Sequence, residues 1–501
     1  MACHGMLTRR GFGGIGPDAW FAGTVLVGWL LVIGCWSVAS PLMSGPDEPA
    51  QIFNAVAVTH GQIDVSTRRT PIGPQAFVRV PEYIAHAGPL ANCLARHPTV
   101  SAACQSPVHG SWRNVLVPTQ FSHYPPVFYA VTGAPSLFVR GFALLVLIRA
   151  ACVVLAAALL TLAVMFLRWA GWGAKALLTV VAATTPMTLS LGGVVNNSAL
   201  EITAATAVWA GAVYLANEGA PSRGRLTCWW GAVLGLAMAR TTGLIFLPAI
   251  VFLALWVVNG AHRGPFMAAR VAGRQTWAPV AVGMGLSGSY LAASGAPGLL
   301  GVPPTTGLSF YAAAEASVDT IPTHLTEVIG TFGWLDTPVP IVVTLAWYAA
   351  VGVLAAWNVT HRSWRTVLVC VALSAGSMLL PALLEAQSYA RIGLFWQGRY
   401  VLPMLVGVPI LLLANRRLGR APLSSVAVLI AVGEVIAFQQ QIRRYTVGLQ
   451  GPILPFHPKW QPAIPWQTLT VVILCVAMLF LAYVVRQDTL RTPDAQSLSS
   501  K

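Results

Sequence analysis

Two adjacent carboxylates, Asp47 and Glu48, stand in Ser44-Gly45-Pro46-Asp47-Glu48-Pro49-Ala50-Gln51, just past the first long apolar run. Proline and glycine punctuate a tight turn there, and a new helix is expected to begin near Pro49. Acids at a helix start can serve as caps. At a membrane surface the same pair could instead take the proton from a substrate hydroxyl as general base. Three arginines could supply matching positive charge. Arg149 lies within an apolar run, Arg240 between two such runs, and Arg399 opens another in Trp396-Gln397-Gly398-Arg399-Tyr400. An arginine at the bilayer centre costs roughly 2.5–3.5 kcal/mol even on the lenient insertion scale, so such residues face a polar cavity or snorkel to the interface. Their forked donors suit bidentate contact with phosphate, and Arg391, Arg443 and Arg444 are expected on the same side. Glu201 and Glu434 are the acids inside apolar runs, where pairing with a membrane arginine would satisfy them. No histidine spacing resembles a metal site, so no histidine-bound metal is expected. No cofactor is called for, and nothing indicates a divalent cation.

The elements that must position these groups are membrane helices. The chain has 501 residues, 56% hydrophobic and only 9% charged, with a mean hydropathy of +0.68. Soluble proteins carry roughly 25% charged residues, so most of this surface must face lipid. Helices are expected at about 20–42, 143–168, 174–194, 199–216, 228–240, 242–258, 276–293, 338–357, 364–386, 399–414, 421–438 and 466–485. The fold class is therefore an all-α integral membrane protein of about twelve transmembrane helices. Residues 1–19 form a cytoplasmic segment, 20–485 a single polytopic domain and 486–501 a disordered cytoplasmic tail. Met1 to Trp20 is followed by a retained first helix with no cleavage site after it. The pair around Arg240 could also be one kinked helix. No internal repeat is visible, which weighs against an inverted-repeat transporter.

Charge sets the orientation. The net charge is +15, and all but three of the 30 basic residues are Arg. Basic charge can signal nucleic acid, but these arginines cluster in short loops between apolar runs, as the positive-inside rule requires. No nucleic-acid partner is expected. Arg168 and Lys175, then Arg223 and Arg225, Arg263, Arg270 and Arg274, Arg362 and Arg365, Arg416, Arg417 and Arg420, and finally Arg486 mark the cytoplasmic side. Both termini are then cytoplasmic. Nine of the 15 acids fall outside: Asp47, Glu48, Asp64, Glu82, Glu315, Asp319, Glu327, Asp336 and Glu385. Solvation of the loops accounts for most of them, chemistry for some. Two outer loops are long, 44–140 and 294–337, and long ordered loops are usually functional. Tyr124 to Val139 is apolar but too short to span, and is expected to lie in the interface. Cys93 and Cys104 are the two of eight cysteines in the outer loops, where an oxidising compartment permits a disulfide.

Several pieces together resemble a family of actinobacterial multi-pass membrane proteins known as a domain of unknown function. They are Pro46-Asp47-Glu48-Pro49, Tyr124-Pro125-Pro126, Thr185-Pro186-Met187, Gly330-Thr331-Phe332-Gly333-Trp334-Leu335-Asp336-Thr337, Gln397-Gly398-Arg399-Tyr400 and Arg444-Tyr445. That family in turn resembles the GT-C glycosyltransferases. They place an acidic pair just after the first helix, as Asp47-Glu48 is here, and many carry a Pro-Pro motif later in that loop, as Pro125-Pro126. The resemblance implies a GT-C-like fold, a polyprenyl-phosphate sugar donor, and an inverting transfer to a cell-envelope glycan or lipid acceptor outside the membrane. Asp47 would be the base, with Glu48 orienting the acceptor or exchanging roles with it. Arg149, Arg240, Arg399, Tyr400 and Asp336 would bind substrate. Gln51 stands where the family usually shows His, and Asn197 replaces the Pro of an Asn-Pro pair. Two other classes of function compete: a transporter or flippase of lipid-linked envelope precursors, and a non-enzymatic protein of envelope assembly.

Overall fold

The computed structural model describes residues 16–63, 67–70, 73–218, 221–259, 273–294, 309–360, 364–392, 395–414 and 420–489. Asp64, Arg263, Arg270, Arg362, Arg416 and Arg417, and the side chain of Arg391, lie outside the described residues.

Seven of the described helices are long and apolar enough to cross a membrane: Pro17–Ala39, Phe142–Trp169, Asn197–Asn217, Ile341–Thr360, Arg365–Ala386, Pro422–Thr446 and Trp466–Arg486. The other five expected positions also hold helix, two of them broken and the rest too short or too polar to count as spans. The run 174–194 is divided into Lys175–Ala183 and Pro186–Gly192. Thr184 and Thr185 between them are extended, as the ring of Pro186 demands of the residue before it. The run 399–414 becomes a 3-10 turn, Gly398–Tyr400, followed by Leu402–Leu405 and Gly407–Leu413. The pair around Arg240 is two helices, Arg223–Ala237 and Gly243–Asn259, and the fifth position holds Gly273–Ala293.

The helix Asn197–Asn217 is buried almost throughout and forms the centre of the bundle. Its start is capped by Asn196, whose side chain accepts from the Ser198 N–H at 2.9 Å, a strong N-cap arrangement. The first helix, α1 (Pro17–Ala39), ends at an extended Ser40. A short second helix, α2 (Glu48–Thr59), starts at Glu48 with Pro49 in its first turn, where proline's missing N–H costs nothing.

The loop that follows builds a small antiparallel sheet from β1 (Thr67–Thr70), β2 (Gly73–Pro81) and β3 (Asn114–Thr119), with Ala76 opposite Thr119 and Pro81 opposite Asn114. The sheet end is tied to α2: Thr119 donates to Ala50 O at 3.0 Å, and Asn54 to Phe121 O at 3.1 Å. The apolar stretch after Tyr124 forms a short helix, Val127–Gly133, and a 3-10 turn, Ala134–Leu137. Val127, Val131, Leu137 and Phe138 on it are exposed. This face of the bundle, carrying the long loops, is called the loop face.

Candidate functional site

Glu48 is fully buried, and its carboxylate accepts four hydrogen bonds. Arg149 grips it with a fork, Nε to Oε1 and Nη2 to Oε2, both at 2.7 Å, and the N–H groups of Gly45 and Val195 donate at 3.1 Å. Arg149 spends its remaining donors on the Ser40 and Pro41 carbonyls, at 2.5 and 2.6 Å. This pair therefore locks the turn between α1 and α2, and neither member offers a free group to a ligand. Gly45 is needed where it stands, because a Cβ there would lie 2.7 Å from Val194 Cγ2. Asn196 donates to Pro46 O at 3.0 Å, and Gln51 Oε1 accepts from the Asn197 N–H at 2.8 Å. The segment 194–197 thus clasps the turn from 45 to 51.

Asp47 is placed differently by the same turn. Its backbone is left-handed, with φ 60°, which costs a non-glycine residue energy and is typical of functional positions. Its side chain makes no cap bond to α2, so the capping explanation of this acid fails on geometry. It is about a third exposed and accepts instead from Arg399 Nη2 at 3.1 Å.

Arg399 sits on the 3-10 turn Gly398–Tyr400, and two acids hold that turn by its backbone. Glu327 Oε2 accepts from the Gly398 N–H at 2.6 Å and is backed by His324 Nδ1 at 2.9 Å. Glu385 Oε1 accepts from the Phe395 and Trp396 N–H groups at 2.6 and 2.7 Å. Gly398 packs so closely that a Cβ would meet His324 O at 2.5 Å. The Arg399 side chain is 2% exposed, yet Nε and Nη1 have no hydrogen-bond partner among the described residues. A buried guanidinium with unmet donors is costly unless an anion completes it.

Arg240 lies beside it. Its guanidinium carbon is 4.4 Å from the Tyr400 ring centre, and that of Arg399 is 5.2 Å from the same ring. Arg240 donates to Ser198 Oγ at 3.3 Å and to the Tyr124 hydroxyl at 3.4 Å, and lies 3.5 Å from Glu201, while its Nε has no partner. Thr242 donates to Glu201 Oε1. The buried hydroxyl of Tyr129 also lacks a partner. Burial pushes its phenol well above the usual range, Tyr124 adds to this and Arg240 opposes it. Asp47, Arg399, Tyr400, Arg240 and Tyr124 thus form one polar cluster at the loop face, with Glu48–Arg149 as the strut beneath.

Asp336 belongs elsewhere. It takes the Arg96 N–H at 3.0 Å and pairs with Arg444 at 3.4 Å, while Arg444 also holds the carbonyls of Val100 and Leu94 at 2.5 and 2.9 Å. Arg443 donates to Gly451 O at 2.9 Å. These groups fasten the loop around Cys93 and Cys104, whose sulfurs are joined at 2.15 Å. Glu201 finds a membrane arginine, whereas Glu434 accepts from Trp36 Nε1 at 3.0 Å instead. The roles of Glu327, Glu385 and Tyr124 were not assigned from sequence; the excess of acids on one face was the available signal for the first two.

A family described as "predicted membrane protein (DUF2142)" matches residues 30–408. The chain belongs to this family. The DUF2142 match takes in every residue of the cluster and of its strut, and stops short of Arg443 and Arg444. No curated protein and no solved structure matches the chain.

Proposed function

We propose that this DUF2142 protein is a GT-C-like inverting glycosyltransferase. It moves a sugar from a polyprenyl-phosphate donor to a cell-envelope acceptor on the extracytoplasmic face. In this reading the chain crosses the membrane about twelve times, with the loop face outside. The observation that carries the reading is Arg399, buried with two unmet donors and joined to a partly exposed Asp47.

The chemistry follows from that pairing. The donor phosphate takes the free Nε and Nη1 of Arg399 and the free Nε of Arg240. Asp47 removes the proton from the acceptor hydroxyl, whose oxygen attacks the anomeric carbon. The bond from that carbon to the phosphate oxygen breaks, and polyprenyl phosphate departs with the electron pair. Its developing charge is stabilised by the two guanidiniums, preorganised in a site that excludes water. Tyr400 holds both cations against its ring faces. Glu48 and Arg149 keep Asp47 in place without entering the reaction.

The test is sugar transfer from a polyprenyl-phosphate donor in proteoliposomes. Asp47→Asn lowers transfer about 10²–10⁴-fold, the range of general-base loss. Near-normal transfer by this variant removes Asp47 as base, and absence of transfer by the unmodified protein moves the choice to a flippase or a non-enzymatic assembly protein.

A further inference from the structure

A second polar cavity, of about 200 Å³, lies at the other end of α2. Val56 and His60 contribute from α2, Arg79 from β2, Trp112 and Asn114 from the start of β3, and Ser136 and Arg140 from the segment before the helix Phe142–Trp169. A twelve-residue helix is about 18 Å long, so this cavity is separate from the Asp47 cluster.

Its chemistry is cationic and incomplete. Arg140 rests with its guanidinium carbon 5.4 Å from the Trp112 ring centre. Gln62 fixes the backbone of Arg79 with a pair of 2.8 Å bonds, Nε2 to Arg79 O and Arg79 N to Oε1. His60 spends Nδ1 on Val56 O at 2.8 Å. Ser136 Oγ is buried with no hydrogen-bond partner among the described residues. No carboxylate lines the cavity among the described residues. Glu82, next in sequence to the lining residue Pro81, is committed to the Ser111 N–H and hydroxyl at 2.9 and 2.6 Å. Two arginines, a hydroxyl and no acid make a receptor for an oxyanion.

The surroundings say where that oxyanion comes from. Arg140 is flanked by Phe138, 85% exposed, and Phe142, 62% exposed, with Leu137 and Leu116 also exposed. A site for a water-borne anion has no use for bare phenylalanines. A lipid headgroup site does, because the acyl chains of the ligand begin where its phosphate ends. We infer that this cavity binds the phosphate of an anionic glycerophospholipid in the adjacent leaflet, with Arg79 and Arg140 on the phosphate and Phe138 and Phe142 against its chains.

The experiment uses the full chain, delipidated in detergent and titrated with phosphatidylglycerol, phosphatidylcholine or inorganic phosphate. Retained lipid is read by native mass spectrometry and stability by thermal unfolding. Phosphatidylglycerol is expected to be retained and to raise Tm, with phosphatidylcholine and phosphate far weaker. Arg79→Gln and Arg140→Gln each weaken phosphatidylglycerol about fivefold, the worth of one basic residue near an anionic lipid. Phe138→Ser weakens the lipid and leaves inorganic phosphate unchanged. Equal retention of the two lipids by the unmodified protein overturns the proposal, and so does unchanged retention by a folded double arginine variant. A Tm shift from inorganic phosphate as large as that from lipid also overturns it, by assigning the cavity to a soluble anion. None of these readouts depends on sugar transfer, so the proposal stands or falls apart from the function of the Asp47 cluster.

Discussion

Glu48 accepts four hydrogen bonds and Asp47, next to it, accepts one from Arg399. Mutation should therefore separate two acids that a sequence presents as a pair. Glu48→Gln leaves Arg149 as an uncompensated buried charge, which typically costs about 3–5 kcal/mol. It should lower the unfolding temperature in detergent markedly, and any activity loss should follow from lost protein. Asp47→Asn removes no cap bond but takes the carboxylate from buried Arg399. Because Asp47 is a third exposed and accepts one bond where Glu48 accepts four, its unfolding temperature should fall much less than that of Glu48→Gln while transfer collapses. The opposite pattern, a stable Glu48 variant and an unfolded Asp47 variant, would reverse the assignment of strut and base. Arg399→Lys completes the set at this scale. It keeps charge but loses the fork, so the apparent KM for the lipid donor should rise roughly tenfold or more, with expression unchanged.

At the scale of elements, the turn before α2 is held by the start of the central helix, and Gln51 and Asn197 meet there. Gln51 accepts the N–H of Asn197, and that N–H exists only because residue 197 is not proline. Asn197 is the first residue of its helix, preceded by an extended Asn196 with φ −147° and ψ 122°. That backbone already suits proline. Asn197→Pro should thus fit, but it strands the buried Gln51 oxygen at a cost of about 1–3 kcal/mol. A double-mutant cycle of Asn197→Pro with Gln51→His, read by thermal unfolding, should show coupling above about 0.5 kcal/mol. Strict additivity would mean the two positions are independent. Removing the Cys93–Cys104 bond by double Ala substitution should cost about 2–4 kcal/mol, because it frees a loop that Arg444 and Asp336 otherwise hold. The helix positions were legible because apolar runs and their arginine borders mark them. The break at Thr184-Thr185 is hidden because it lies in a run with no charged residue between Lys175 and Glu201. The Asp336–Arg444 contact was not legible because it joins groups 108 positions apart. Asp336 and Arg399 look alike as polar residues in specific motifs; burial and partners separate a committed brace from a guanidinium with unmet donors.

Across the molecule as a whole, ion pairs stand at both ends of the bundle. Asp47, Glu327, Asp336 and Glu385 meet arginines or backbone N–H groups at the loop face. At the other end Arg168 pairs with Asp18 at 2.9 Å, and Arg225 lies 4.0 Å from Glu218. By the positive-inside rule an arginine excess in short loops would set orientation, whereas acids contribute little to it. Cysteine labelling tests this arrangement directly. Cys3, Cys35, Cys152, Cys228, Cys370 and Cys475 are replaced by Ser, and Cys93 and Cys104 are kept. Single cysteines are then placed at His109, exposed on the loop face, and at Arg223, exposed at the start of its helix. A membrane-impermeant maleimide added to intact cells should label position 109 at once and position 223 only after the membrane is opened. The reverse result would put the short basic loops outside. It would also leave the Asp47–Arg399 cluster facing the cytoplasm, where no extracytoplasmic acceptor could reach it. Labelling at both positions in intact cells would mean that an even number of crossings separates them, and the helices between 124 and 217 would have to be counted again. Because the six replaced cysteines carry no assigned role, transfer activity measured on the same variants decides whether the labelled protein is the native one.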